Sequence, residues 1–353
     1  MVVETPRILK ALTAAHRHLA ELKGRAASIP NQGILIDTLS LQEAQASSEI
    51  ENIITTQDEL YEIGSGPTRH LSPEQKEVAR YREALKHGLD LLLQRQGLIT
   101  NNALIGMFQI LKQSTGDFRS APGTSLKNDA TGEIIYVPPQ RKDEIVSHMA
   151  DLETFLNDPA RSDLDPLVKM AILHHQFESI HPFPDGNGRI GRILNVLYLV
   201  QQGLLDIPIL YLSRFITRNK SEYYRLLQQV RDDGAWDDWI VYMITAVSET
   251  SRDTVQLIIG IRQMMAETKS RMRERHKSIY SQDLLNNIFR HPYTRIEYVV
   301  EECQVGRQAA ARYLDRLAAD DMLVKIKRGL NNYYVNVPLV ELLANNGTPP
   351  PPS

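Results

Sequence analysis

Residues 181–192 read HPFPDGNGRIGR, placing a histidine, an aspartate, an asparagine, two arginines and three glycines within twelve positions. These are the parts of a phosphate site. Gly186 and Gly188 let the backbone turn sharply and come close to a ligand. A helix beginning near Arg189 sets their N–H groups at a helix N-terminus, where unpaired donors and the dipole favour an anion. Arg189 and Arg192 stand three apart on that first turn and project from one face, making a polyphosphate cradle beside the glycines. Asp185 offers a hard oxygen of the kind Mg²⁺ takes when it bridges phosphates. His181 titrates near neutrality and can take a proton from an attacking hydroxyl. The set suits in-line attack on a phosphate, with metal and arginines absorbing charge. A tight helix–helix loop would require only a capping His181 and surface arginines, so a purely structural role does not explain the convergence.

Two helices must position these groups. One, over 166–179, opens with Asp165-Pro166, carries Leu167, Ala171 and Phe177, and delivers His181; the other runs from about Arg189 to Gly203. The remaining chain reads as helix nearly throughout. Residues 7–23 form a short amphipathic helix stopped at Gly24, and 29–38 are a break followed by an apolar stretch. A helix is expected from Leu39 to Glu62 with Ser40 as N-cap, then a GSGP loop at 64–67 and a helix from Ser72-Pro73-Glu74 to about Gln96. Further helices are expected around 101–112, at 140–157 and from about 236 to 276. Residues 118–137 form the one hairpin of the front part, with its turn at Asp129 to Gly132, a strand at Glu133 to Val137, and Pro138-Pro139 as its end. Residues 281–337 read as three helices and two strand-like runs around Gly329-Leu330-Asn331-Asn332, a pattern that resembles a winged helix-turn-helix.

The expected fold is therefore mainly α: a helical domain with a β-hairpin flap, plus a small C-terminal winged helix-turn-helix domain. Its divisions are an N-terminal helical region (1–110), a core (111–265), a helical linker (266–280), the winged-helix-like domain (281–340) and a Pro-rich disordered tail (341–353). Hydrophobic residues at 42% and charged residues at 24% fit a globular protein, and a net charge of −3 is too small for a dedicated nucleic-acid or membrane protein. From residue 266 onward Lys and Arg outnumber Asp and Glu by 13 to 10, whereas 1–265 hold 27 against 33, so the tail is mildly basic. That is too little to assign DNA binding. The single cysteine, Cys303, excludes an internal disulfide and a Cys-based zinc site, and its surroundings suit a small buried residue better than a nucleophile. His174 and His175 point different ways on their helix and cannot share a metal. No signal-type apolar run and no membrane-span length occurs, so a cytoplasmic location with no membrane contact is expected.

HPFPDGNGRIGR fills every fixed position of His-x-Phe-x-(Asp/Glu)-Gly-Asn-Gly-Arg-x-x-Arg, and the chain thereby resembles the Fic family. HHQFESIHPF, the YVPP end of the hairpin and YLSRFITRNKSEYYRLLQQVRDDGAWDDWI extend the resemblance over about residues 30–265, and a tail module of this kind is common among bacterial members. The resemblance implies transfer of AMP from ATP to a Ser, Thr or Tyr hydroxyl of a target protein or of the chain itself, with release of pyrophosphate. On it His181 is the general base, Phe183 anchors the loop in the core, and Asp185 holds Mg²⁺ against the α- and β-phosphates. Gly186, Asn187 and Gly188 form the anion hole, Arg189 binds phosphate and Arg192 grips the γ-phosphate, with Ile190 and Gly191 in the same ATP-binding stretch. Asn219 is a looser candidate for the base or ribose. The hairpin is a flap on which an extended target segment docks by strand addition.

Residues 47–52, Ser-Ser-Glu-Ile-Glu-Asn, match the family's inhibitory pattern (Ser/Thr)-x-x-x-Glu-(Gly/Asn) through Ser47, Glu51 and Asn52. The resemblance implies that Glu51 reaches Arg192 and displaces the γ-phosphate, which places the chain in the class with an N-terminal inhibitory helix. Three further points stay open at the level of sequence. The same site can remove AMP or transfer another nucleotide or phosphate-containing group; the tail can act as a DNA-binding regulator; and the chain can form a homodimer, as the family often self-associates.

Overall fold

The computed structural model describes residues 3, 5–62, 71–127, 131–328 and 331–345. Helix α1 (Pro6–Ala26) starts where Thr5 accepts a hydrogen bond from the Ile8 N–H and proline fills the first helical position. Helix α2 spans Gly33–Ile50 and α3 Gln57–Glu62. One helix from Leu39 to Glu62 was expected, and two corrections follow. Ser40 is not an N-cap: it is buried inside α2, which begins seven residues before it because Ile34 and Leu35 have core to fill. The helix also stops early, because Glu51 caps it and Asn52 takes a left-handed conformation at φ 61°.

Helix α4 (Pro73–Gln94) opens with a full capping box between Ser72 and Gln75, and α5 (Asn101–Lys112) is capped by Thr100. Strands β1 (Leu126–Lys127) and β2 (Ile134–Tyr136) pair antiparallel, Leu126 opposite Tyr136, to make the flap. The strand is thus shorter than the expected 133–137. Helices α6 (Lys142–Asn157), α7 (Pro166–Ile180), α8 (Asn187–Gln201), α9 (Leu212–Arg218), α10 (Lys220–Asp233) and α11 (Trp236–Arg275) complete the body. Helices α7 and α8 are buried on nearly every side, with α2, α4, α5, α9 and α11 packed around them. Helix α1 lays Ile8, Leu12, Ala15, Leu19 and Leu22 along α11.

The C-terminal module contains α12 (Gln282–Arg290), β3 (Tyr293–Thr294), α13 (Ile296–Cys303), α14 (Arg307–Ala319), β4 (Val324–Arg328), β5 (Asn331–Val335) and α15 (Val337–Ala344). Three helices and then two paired strands follow in the expected order, with one addition: β3 joins an antiparallel sheet in the order β3-β5-β4. Helix α15 carries order past residue 340, where a disordered tail was expected, because Leu339, Leu342 and Leu343 are buried. The module leans on α2 and α3. Arg290 pairs with Asp37, Gln42 donates to the Leu343 carbonyl at 2.8 Å, and Tyr293 stacks on Tyr61. The GSGP loop at 64–67, part of each hairpin turn (128–130 and 329–330) and the tail from 346 lie outside the described residues. Among the described residues no helix is long and apolar enough to cross a membrane.

Candidate active site

The loop between α7 and α8 is built by side chains that close on its backbone. His181 caps α7 in a left-handed conformation (φ 50°, ψ 57°), its N–H still bonded to the Phe177 carbonyl at 3.0 Å, and this turns the chain out of the helix. Phe183 is fully buried, stacked on Phe108 with centroids 4.4 Å apart and flanked by Phe118 and Phe177. Its ring seats the loop in the core. The Asn187 side chain accepts from the Phe183 N–H and donates to the Phe183 carbonyl, both at 2.8 Å. Oδ1 and one Nδ2 hydrogen are thus spent on loop geometry, and the backbone N–H is what Asn187 adds to the helix start. Buried Arg119, at the base of the flap, donates from its N–H to the Pro182 carbonyl and from Nε to the His181 carbonyl, each at 2.8 Å, and also bonds Pro139. Flap and loop are tied at one point.

Gly186 is the N-cap of α8 at φ 78°, and a Cβ there would meet Leu111 Cδ2 at 3.1 Å, so conformation and space both demand glycine. Asn187, Gly188 and Arg189 form the first turn, whose N–H groups have no intrahelical acceptor. Asp185 is largely exposed; its Oδ1 accepts from the Gly186 N–H at 2.6 Å and its Oδ2 lies 2.6 Å from Lys112 Nζ. Partial burial works to raise its pKa, but Lys112 and then Arg189 hold the carboxyl below its ordinary value.

The two arginines flank the start of α8 and are gripped by different helices. Arg189 is buried against Glu77 of α4. Arg192, 1% exposed, donates from Nε to Ser47 Oγ at 2.8 Å and from Nη2 to the Ser47 carbonyl at 2.8 Å and Glu51 Oε1 at 2.7 Å. Burial works to lower the Arg192 pKa, yet the Glu51 charge and hydrogen bond together with Tyr223 and Tyr81 raise it. Glu51 Oε1 lies only 2.5 Å from where a Cβ on Gly188 would stand, so this carboxylate rests on the helix start itself, where an anion is favoured. Asn52 accepts from Lys220 Nζ at 3.1 Å, fixing the far side of the α2 exit.

His181 is pushed down to about 4, by burial first and by the positive Arg119 second, while the Glu178 carbonyl and Glu51 work the other way. Its imidazole is therefore neutral at pH 7, the state a proton acceptor needs. Glu178, one turn before it, is buried and raised to about 7 by loss of hydration, against the pull of Arg192.

The structure thus brings together His181, Asp185, the glycines, Arg189, Arg192, Ser47 and Glu51. Ile190 is fully buried in the core, and Gly191 is a packing glycine: a Cβ there would meet Glu178 and Phe177 of α7 at 2.7 and 3.1 Å. Neither directs a side chain to the helix start. Asn219 joins α9 to α10, and its amide donates to the Phe215 carbonyl at 2.9 Å; it reaches the site's rim only through its neighbour Lys220. His174 is satisfied by the Tyr223 hydroxyl at 2.7 Å and by Asn195, and His175 faces the Leu227 carbonyl at 3.2 Å, so both are core residues. Cys303 is half-buried with its thiol raised to about 11 by burial, which keeps it protonated. Sequence reasoning missed Lys112, Glu77 and Arg119. Arg119 stood inside the expected hairpin, but Lys112 and Glu77 are ordinary charges on amphipathic helices and carry no local signal.

Three sequence families match the chain: Fic/DOC family N-terminal over residues 9–90, Fic/DOC family over 98–199, and the C-terminal domain of SoFic-like protein adenylyltransferases over 264–339. A probable protein adenylyltransferase of Aquifex aeolicus is 42% identical over 69 residues, covering 20% of this chain and 19% of the relative. The protein adenylyltransferase fic-1 of Caenorhabditis briggsae is 30% identical over 124 residues, 35% of this chain and 22% of the relative. Protein adenylyltransferase Fic of Nematostella vectensis is 28% identical over 156 residues, 44% and 34% of the two chains. The chain spans between about a fifth and a third of the length of these curated relatives. A Fic family protein from Desulfovibrio desulfuricans G20 shares the fold over 95% of this chain and 97% of its own, with a TM-score of 0.60 at 20% identity. Fic-1 from Caenorhabditis elegans does so over 71% of each chain, with a TM-score of 0.54 at 21% identity.

Proposed function

The chain belongs to the Fic/DOC family, and from that premise we propose that it is a protein adenylyltransferase, moving AMP from ATP to a Ser, Thr or Tyr hydroxyl of a target protein or of itself. The observation that carries this reading is the meeting, on one loop, of a neutral imidazole, open helix N–H groups and two buried guanidiniums.

The polyphosphate lies against the N–H groups of Asn187, Gly188 and Arg189, with Arg189 on a phosphate and Arg192 on the γ-phosphate. His181 takes the hydroxyl proton as the oxygen attacks the α-phosphorus. The O–P bond to AMP forms, the bond to the β-phosphate oxygen breaks, and pyrophosphate leaves. No cluster of three or more His, Cys, Asp or Glu side chains among the described residues offers a closed metal cage. An ionised, accessible Asp185 beside the phosphate position instead suits Mg²⁺, which is held by one or two carboxylates together with substrate phosphates. Mg²⁺ bound there would neutralise charge on the phosphates. Glu51 is the brake: while it holds Arg192, the γ-phosphate has no guanidinium to take. The flap receives the target as an added strand, a reading supported by the exposed side chains of Ile134 and Ile135 on β2. A cytoplasmic site of action belongs to the same proposal.

The test uses α-³²P- and γ-³²P-labelled ATP with Mg²⁺ and wild-type, Glu51→Gly and His181→Ala chains. Protein label from the α-phosphate alone, strongest in Glu51→Gly and absent in His181→Ala, is the expected result. Label from the γ-phosphate would replace AMP transfer with phosphoryl transfer.

A further inference from the structure

We propose that Lys112, at the end of α5 and outside the motif, is a third phosphate-binding cation of this site, and that Asp185 and Glu77 are the carboxylates that balance it when no nucleotide is bound. The inference rests on the adenylyltransferase reading and extends its binding machinery to two residues on other helices.

The geometry around Gly186 points to it. If Gly186 carried a Cβ, Lys112 Cδ would lie 3.5 Å from it and Arg189 Nη2 3.7 Å. The two cationic side chains therefore flank the N-cap of α8 at similar distance, beside the N–H groups that favour an anion. Between them stands Glu77, one oxygen on Arg189 and the other 3.6 Å from Lys112 Nζ. Lys112 also lies 2.6 Å from Asp185. Two positive and two negative groups are thus interleaved at the mouth of the helix, and Lys112 and Glu77 are about one-fifth exposed.

That balance changes when a polyphosphate arrives. On the functional reading the phosphate oxygens compete with Asp185 and Glu77 for the Lys112 ammonium. An ammonium on a flexible stem has three donors and no fixed geometry, so it can exchange a carboxylate oxygen for a phosphate oxygen with little movement of its stem. Arg189, fixed by burial, cannot make that exchange as freely. If Lys112 served only a partly exposed ion pair, its removal would change little.

The experiment is calorimetric titration of ATP and, separately, adenosine into Glu51→Gly, Glu51→Gly/Lys112→Met and Glu51→Gly/Lys112→Arg, with EDTA present throughout. Methionine keeps the stem packed near Gly186 and removes the charge. The expected result is ATP binding weakened roughly tenfold or more by Lys112→Met, mostly kept by Lys112→Arg, with adenosine binding unchanged and the ATP loss shrinking at high salt. ATP affinity unchanged in Lys112→Met would overturn the assignment. So would equal weakening for ATP and adenosine, which would make Lys112 a structural residue. Failure of Glu51→Gly itself to bind ATP while folded would remove the adenylyltransferase reading and this inference with it.

Discussion

Replacing Glu51 by glycine removes a carboxylate oxygen 2.7 Å from a guanidinium that is 1% exposed, and leaves Arg192 with its two bonds to Ser47. A hydrogen bond to a charged group contributes about 1.5–3 kcal/mol. Glu51 is 34% exposed, so water screens part of this and about 1–2 kcal/mol is the better figure. The folded state should lose that much, and the melting temperature should fall by a few degrees. The same contact must break before a γ-phosphate can take Arg192, so productive ATP binding should gain about as much as stability loses. A gain of 1–2 kcal/mol is roughly 5- to 30-fold in transfer rate at sub-saturating ATP. Thermal melts and α-label incorporation across a range of ATP concentrations measure both halves on the same samples. A lower melting temperature with unchanged transfer would refute the reasoning and reduce Glu51 to a structural cap of α2.

Two predictions concern pH. His181 has its folded pKa near 4 against an ordinary 6.5, so transfer should be flat from pH 6 to 8 and lose its base only near pH 4, provided the fold survives; a pH–rate profile of Glu51→Gly checks this. Because that pKa is depressed, its contribution to stability is present above pH 6.5 and lost as pH falls toward 4, and His174 and His175, at about 3 and 4, act in the same direction. Glu43 has the opposite sign. Burial raises it to about 7 against the donors Ser213 and Tyr81, so its contribution is full below pH 4.5 and lost as pH rises through 7. Glu43→Gln should therefore melt higher than wild type at pH 8 and not at pH 5; an unchanged pH dependence of melting would contradict this.

The readability of the site followed sequence distance. His181 to Arg192 form one loop and one helix turn, so spacing alone put their chemistry in one place. Ser47 and Glu51 could be paired because four residues of helix separate them, although their partner Arg192 is 145 positions from Ser47. Lys112 and Glu77 reach the site only because α4 and α5 pack against α8, and nothing local to either residue announces it. The same physics explains the two errors in α2. Ser40 has the side chain of an N-cap, but burial of Ile34 and Leu35 extends the helix past it, and the left-handed turn at Asn52 ends a helix that composition alone would continue. Strand β3 is two residues long and exists only through its pairing with β5, so no run of residues could have marked it.

The central claim is that one site, worked by His181 and restrained by Glu51, places AMP on a protein hydroxyl. Its most direct measurement is a stoichiometry: pyrophosphate released against AMP bound per chain for Glu51→Gly, with Glu51→Gly/His181→Ala in parallel. Equal amounts in the first and neither product in the second is the predicted result. Pyrophosphate without protein-bound AMP, or undiminished transfer after loss of His181, would contradict it.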